Sequence, residues 1–236
     1  MADLSPQDAA KRAAALAAAD LVEAGMTLGL GTGSTAVFLV DEIGRRVAGG
    51  LEVVAVPTSS RTRAQAEGLG IPLTTLGEVG RLDLTIDGAD EFDGALNLIK
   101  GGGGALLQEK IVAAASDRML VISDPSKEVP TLGAYPLPIE IVRFGWQATE
   151  RHVAACLASA DVEGRQITRR MADGKAYVTD EGHYIFDLSL GRIGDPAGLN
   201  AALNLIPGVV ETGLFTGLAS QVIVGHEDGT ARVIGG

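Results

Sequence analysis

Asp87-Gly88-Ala89-Asp90-Glu91, Lys100-Gly101-Gly102-Gly103-Gly104 and Glu109 bring carboxylates that can handle protons, one ammonium and a four-glycine run into one short window of the chain. Asp87 and Asp90 flank Gly88 and Ala89, a spacing that folds both carboxylates around one turn. Taken alone, the Asp-Gly pair reads first as an ordinary turn. Lys100 ahead of four glycines is harder to explain so plainly, because such a run loses a great deal of backbone entropy on folding. A simple loop has no use for that; a backbone lying flat against a ligand does.

Glu109 is placed by angle. Leu107, Ile111 and Ala114 recur at i, i+4 and i+7 and predict the buried stripe of a helix. Glu109 then lies about 200° round from Leu107 at ~100° per residue, facing away from that stripe. It is either a solvated glutamate, as most are, or a carboxylate set over the edge of a sheet. The turn Gly31-Thr32-Gly33-Ser34-Thr35-Ala36 fits G-x-G-x-x-A between a strand and a helix. Glycines admit an anion to the backbone, and free amides at a helix start point toward it. A tight turn capped by Thr or Ser explains the same residues equally well. A dinucleotide site needs an acidic residue after the second strand, and Pro57-Thr58-Ser59 has none. A nucleotide P-loop needs a lysine that Gly33-Ser34-Thr35 lacks, so a cradle here holds something smaller.

Lys127 and Lys11 are weaker candidates for the same edge, and each reads equally as a surface lysine. His152, His183 and His226 stand singly without metal-ligand spacing and are read as non-catalytic. Cys156 reads as a small buried hydrophobe, and Trp146 as packing in a small unit or at a subunit contact.

These residues need a frame of alternating strands and helices. Ser5-Pro6-Gln7-Asp8 marks a helix start, and the alanine-rich helix is predicted to run to about Glu23. Strands are expected over 26–30, 51–56, 71–74, 82–86 and 118–122, with helices over 35–47, 60–67 and 105–115 between them. Asp87 then sits at the carboxyl end of its strand, where open α/β sheets keep their ligands. From Gly133 the rhythm changes: a strand (139–142), a helix (146–158), a meander with turns at Asp173-Gly174 and Asp180-Glu181-Gly182, and a helix to Leu205. Strands over 221–225 and 231–234 return to the first part. The expected fold class is α/β, a Rossmann-like and largely parallel sheet with helices on both faces. The expected domains are 1–133 with 206–236, and an inserted smaller α+β domain over 134–205. The smaller one is expected to expose a mixed sheet and to carry an oligomer contact.

The chain has 236 residues, 46% hydrophobic and 21% charged, enough to bury a core. Its formal charge of -11 argues against nucleic acid or an anionic membrane as a partner, while leaving room for a small anionic substrate. No apolar run approaches a membrane span, and the start, Met1 to Pro6, lacks a secretion pattern. The single cysteine suits a cytoplasmic location.

With these motifs in order, the chain resembles ribose-5-phosphate isomerases of the A type. The likeness rests on Gly31 to Thr35, Asp87 to Glu91, Lys100 to Gly103, Glu109-Lys110 and Ser126-Lys127. It continues through Pro136-Leu137-Pro138-Ile139-Glu140 and Pro207-Gly208-Val209-Val210-Glu211-Thr212-Gly213-Leu214-Phe215, and covers nearly the whole chain. The resemblance implies interconversion of ribose 5-phosphate and ribulose 5-phosphate through an enediolate, with no metal or other cofactor. It implies Glu109 as the base between C2 and C1, and Lys100 as stabiliser of the enediolate oxygen. Asp87 and Asp90 would bind hydroxyls and help open the ring or shuttle the hydroxyl proton. Substrate contacts are implied for Lys11, Thr32, Gly33, Ser34, Thr35, Gly88, Ala89, Gly101, Gly102, Gly103 and Lys127, with a homodimer or homotetramer as the assembly. The chemistry is self-consistent: removing a proton beside a carbonyl creates an oxyanion, so a base and an oxyanion stabiliser are the minimum equipment. Rival expectations are a sugar-phosphate sensor, a nicotinamide-dependent dehydrogenase, a coenzyme A transferase and an amino-sugar isomerase on a similar fold.

Overall fold

A computed structural model describes residues 4–235; Met1 to Asp3, where the reading for a secretion signal begins, lie outside the described residues. The chain opens α1 (Pro6–Ala19), β1 (Thr27–Leu30), α2 (Ala36–Ala48), β2 (Val54–Pro57), α3 (Ser60–Gly68) and α4 (Leu76–Val79). It continues β3 (Leu84–Gly88), β4 (Glu91–Phe92), β5 (Leu98–Ile99), α5 (Leu106–Ala114), β6 (Met119–Ser123) and a 3-10 turn, Pro125–Lys127. Then come β7 (Leu137–Ile141), α6 (Trp146–Ser159), β8 (Gln166–Arg169), β9 (Met171–Ala172), β10 (Lys175–Ala176) and β11 (Tyr184–Ser189). The last elements are α7 (Pro196–Asn204), β12 (Val209–Thr212), β13 (Leu214–Phe215), β14 (Gln221–Gly225) and β15 (Ala231–Ile234).

By its internal contacts the chain divides into two units. The first holds Met1–Ala89, Gln108–Glu128 and Gly217–Gly236; the second holds Asp90–Leu107 and Val129–Thr216. The second is therefore larger than residues 134–205, because β4, β5 and β13 pair with one another and Val129 N–H donates to Phe92 O.

The first unit is built on a six-stranded sheet in the order β15-β14-β6-β3-β1-β2, parallel except for β15. Leu28, Leu30, Leu84, Ile86, Leu120 and Ile122 form its buried centre. Helix α1 lies close on β14 because both surfaces are small: Ala14, Ala15, Ala18 and Ala19 are fully buried, and a Cβ on Gly225 would sit 2.1 Å from Ala10 O. This helix stops at Ala19, short of the expected Glu23, and Arg46 Nη1 takes up the Ala19 carbonyl at 2.7 Å. Residues 71–74 are not a strand; Leu73 makes one isolated bridge to Ala55.

The second unit carries a four-stranded sheet, β12-β7-β11-β8. All its pairings are antiparallel, so the expected mixed sheet is corrected. Val153 and Leu157 from α6 and Leu199 and Leu203 from α7 share its core. The β9–β10 hairpin turns at Asp173 (φ 50°) and Gly174 (φ 74°), positive at both central positions as a type I′ turn requires. Trp146 packs edge-on to Phe186 with centroids 6.2 Å apart, and Cys156 is half-buried.

Glu42 on α2 accepts hydrogen bonds from Arg45 (Nε and Nη2) and from Arg46 Nε, each at 2.7 Å. The Arg45 hydrogen bonds, with burial opposing and Arg46 assisting, lower its carboxyl from 4.5 to about 2. A depressed folded-state value means stability that is present above pH 4.5 and is lost as pH falls toward 2. Urea midpoints measured across that interval should therefore fall less steeply for Glu42→Gln than for the native chain. Parallel slopes would remove Glu42 as a contributor.

Candidate active site

Strand register delivers the first group of residues. β1 and β3 pair in parallel with Leu28 beside Leu84 and Leu30 beside Ile86, which carries Gly31 alongside Asp87 just past the end of β1. The chain order reverses at this point, since β2 and β3 lie on opposite sides of β1, and such a switch point opens a crevice at the carboxyl ends of the strands. Asp87 is fully buried, and its Oδ1 accepts the Thr32 N–H at 3.0 Å and the Gly88 N–H at 2.7 Å. A Cβ on Gly31 would lie 2.1 Å from Asp87 Oδ1 and 2.5 Å from its Cα. Gly33 answers to a different need, a φ of +130° with open space around it.

The hydroxyl of Thr32 donates to Ser59 Oγ at 2.8 Å and lies beside Thr58 Oγ1 at 2.8 Å and Thr62 Oγ1 at 3.0 Å. Thr58 and Thr62 in turn donate to the Leu30 and Gly31 carbonyls, each at 3.0 Å. Thr32 is thus a hub that holds the turn. Thr58 and Ser59, set aside in the sequence for lacking a carboxylate, act here through their hydroxyls. Ser34 is exposed, and Thr35 precedes α2 without a side-chain capping hydrogen bond, so the reading of this turn as a hydroxyl-capped helix start does not hold.

Glu109, in the first turn of α5, is 3% exposed. The buried face of α5 runs through Leu106, Glu109, Val112 and Ala113, while Ile111 is half exposed. The angular reading rightly turned Glu109 away from Leu107, Ile111 and Ala114 but took the wrong face as buried. Interior position makes Glu109 a carboxylate whose charge acts with little screening by water. Lys127 ends the 3-10 turn capped by Asp124, and Lys11 is a buried lysine of α1, 3.4 Å from Asp8.

In the second unit, Lys100 follows β5 and is 2% exposed. Its N–H donates to Gly213 O at 2.9 Å, and its Nζ lies 5.4 Å from the centre of the Phe215 ring. Three of the four glycines after it are required by a neighbour. Gly101 has φ +108° and would press on Leu106, Gly102 would strike Tyr135 Oη at 2.4 Å, and Gly104 has φ +81° and would strike Tyr177 Oη at 2.1 Å. Asp90 Oδ2 accepts the Gly102 N–H at 2.7 Å. Glu91 is also buried and accepts the backbone N–H of Gly133 and of Tyr135. Burial first, then the Asp90 charge, push the Tyr135 hydroxyl above its ordinary value against the pull of Arg170.

Tyr135, Arg170 and Tyr177 are contacts that the sequence did not single out. Arg170 and Tyr177 fall in the stretch from Ala160 to Gly182, where no motif stood out, and Asp187, the partner of Arg170, lies on β11. His183 Nδ1 and Thr179 Oγ1 meet the buried Glu140 Oε1 at 2.9 Å each, and burial raises the Glu140 carboxyl while both partners lower it. Among the described residues no group of three or more His, Cys, Asp or Glu is placed to hold a metal ion.

The family model described as Ribose 5-phosphate isomerase A (phosphoriboisomerase A) matches residues 54–229. A Ruegeria sp. protein named ribose-5-phosphate isomerase A is 59% identical over 232 residues, covering 98% of this chain and 88% of its own. The solved ribose 5-phosphate isomerase of Plasmodium falciparum superposes with a TM-score of 0.91 at 36% identity, over 97% of this chain and 99% of its own. A solved D-ribose-5-phosphate isomerase in complex with phospho-erythronic acid gives 0.89 at 35% identity, over 96% and 97%.

Thr32→Val keeps the shape at the hub but sets a methyl group among three buried hydroxyls and removes the donor to Ser59, and should cost about 1–3 kcal/mol in urea unfolding. Thr32→Ser should lie close to the native chain. Equal stability for valine and native threonine would show the network to be idle.

Proposed function

The chain belongs to the ribose 5-phosphate isomerase A family, and from that premise we propose that Glu109 and Lys100 carry its reaction, with Asp87 and Asp90 assisting. The protein is an aldose–ketose isomerase acting on D-ribose 5-phosphate and D-ribulose 5-phosphate, a step of pentose phosphate metabolism. The observation that carries the residue assignment is the burial of Asp87, Lys100 and Glu109 in a chain whose exterior holds most of its charge. Burying a charged group costs free energy, and buried ionisable groups cluster at functional sites.

In this reading Glu109 takes the proton from C2 of the open-chain aldose and returns it to C1. The electron pair moves onto the carbonyl oxygen O1, the Lys100 ammonium stabilises the resulting enediolate, and the O2 hydroxyl proton passes to O1, by way of Asp87 or Asp90, so that the carbonyl re-forms at C2. Asp87, held by two N–H donors, and Asp90, held by Gly102, bind sugar hydroxyls and assist ring opening. Gly33, Ser34 and Thr35 meet the phosphate, Thr32 shapes their turn, and Lys127 and Lys11 add positive charge. Gly88, Ala89, Gly101, Gly102 and Gly103 offer backbone to the sugar. The relative solved with phospho-erythronic acid supports this chemistry: a carboxylate on a phosphorylated four-carbon chain has the two oxygens and negative charge of an enediolate. No metal or other cofactor enters the proposal, and neither nucleic acid nor membrane is a partner. No helix among the described residues is long and apolar enough to cross a membrane.

Glu109→Gln should fold and bind substrate yet lose isomerisation by a factor of about 100 or more, the range removed with a general base. The assay is ketose formation from ribose 5-phosphate with chelator present and no added cofactor. Turnover near native in that variant would take the base role from Glu109.

We also propose a cytoplasmic homodimer or homotetramer, with the second unit carrying the contact. Phe144 and Leu205, 92% and 84% exposed, are apolar residues there that an assembly would cover. Sedimentation velocity should then show no monomer at micromolar concentration, and a monomer alone would end this reading.

A further inference from the structure

We infer that Arg170 is a positioning residue for Asp90 and acts through a single peptide group, an inference that rests on the role proposed above for Asp90. Arg170 Nη1 donates to Gly101 O at 2.9 Å and to Gly102 O at 3.2 Å. The Gly101 carbonyl and the Gly102 N–H are two ends of one rigid peptide plane, and that N–H donates to Asp90 Oδ2 at 2.7 Å. Guanidinium, peptide and carboxylate therefore stand in series. A cation at the carbonyl end polarises the peptide and strengthens the N–H as a donor to the anion at the other end. The second bond does the same to the next peptide, whose N–H belongs to Gly103.

The guanidinium is itself held. Asp187 on β11 takes Nε at 2.9 Å and Nη2 at 2.5 Å, so the fork is fixed in one plane while Nη1 remains for the glycine carbonyls. The Arg170 N–H is tied to Ile185 O at 2.8 Å, and the Tyr177 ring lies 5.9 Å from Cζ. Burial, the largest single influence, works against the charge, but the Asp187 hydrogen bonds and charge together with Tyr135 and Tyr177 outweigh it and raise the guanidinium above its ordinary value, so it is always charged. A lysine cannot replace this arrangement, since one ammonium lacks the planar fork needed to serve Asp187 and two carbonyls together. The glycines complete the device: a Cβ at Gly102 would meet Asp90 Oδ1 at 2.7 Å, so only bare backbone fits between Tyr135 and the Asp90 carboxylate. The glycine run is shaped for its neighbours within the protein as well as for a sugar.

The test is a double-mutant cycle read by kinetics and by NMR, using the full chain. Arg170→Lys should lower kcat/KM about 10-fold in the native background and less than about 2-fold in Asp90→Asn, because the carboxylate it orients is already neutral. In a glycine-labelled sample the Gly102 amide proton should move upfield in Arg170→Lys, and further substitution of Asp90 should then shift it little. Asp187→Asn, which keeps the guanidinium but loosens its fork, should reproduce both effects in weaker form if Arg170→Lys folds poorly. Equal losses with and without Asp90, or an unmoved Gly102 amide, would overturn the inference while leaving Asp90 in its role. Native kcat/KM for Asp90→Asn alone would instead remove Asp90 from the site, and the inference with it.

Discussion

The contact between the Gly31 backbone and the Asp87 side chain constrains everything around it in the first unit. Parallel pairing of β1 with β3 sets the two residues side by side, and the space between them is smaller than a methyl group. Asp87 consequently reaches the Thr32 N–H, and Thr32 turns its hydroxyl into the cluster made by Thr58, Ser59 and Thr62. One register decision thus fixes a carboxylate, a glycine turn and the start of α2. A shift by one residue would reverse every side chain on β3 and remove Asp87 from the crevice.

The second unit solves a comparable problem with charge. Four glycines would be a costly segment to order, and here Arg170 takes the Gly101 and Gly102 carbonyls while Asp90 takes the Gly102 N–H. A half-buried network of this kind is favourable to the extent that its members are satisfied. Two tyrosine hydroxyls, from Tyr135 and Tyr177, fill the space that side chains at 102 and 104 would need. The loop is therefore a fitted part, and its flexibility in the unfolded chain is suppressed by specific partners.

Both halves place ionised or polar groups where water is scarce. In the interior a charge interacts more strongly with its neighbours than at the surface, so a modest displacement has large consequences for binding and proton transfer. This is why so much of the structure around Asp87, Asp90 and Lys100 consists of backbone contacts, which move less than side chains. A formal charge of -11 does not conflict with a small anionic substrate, which needs only a few local donors.

Much of this was legible in the linear order of residues. Alternating apolar runs gave the parallel sheet, turn chemistry gave the Asp173-Gly174 hairpin, and the ordered motifs gave the family. Periodicity works for these because a helix or strand repeats its environment every few residues. Two-residue strands such as β4, β5 and β13 have no period to detect, and the buried face of α5 was misread because Glu109 counted as polar. Tertiary structure alone decided that Thr32 meets Thr58 and Thr62, and that Arg170, held by Asp187, grips a loop about 70 positions earlier in the chain. Hydrogen bonds between residues so far apart depend on strand register and sheet order, and neither leaves a local pattern in sequence.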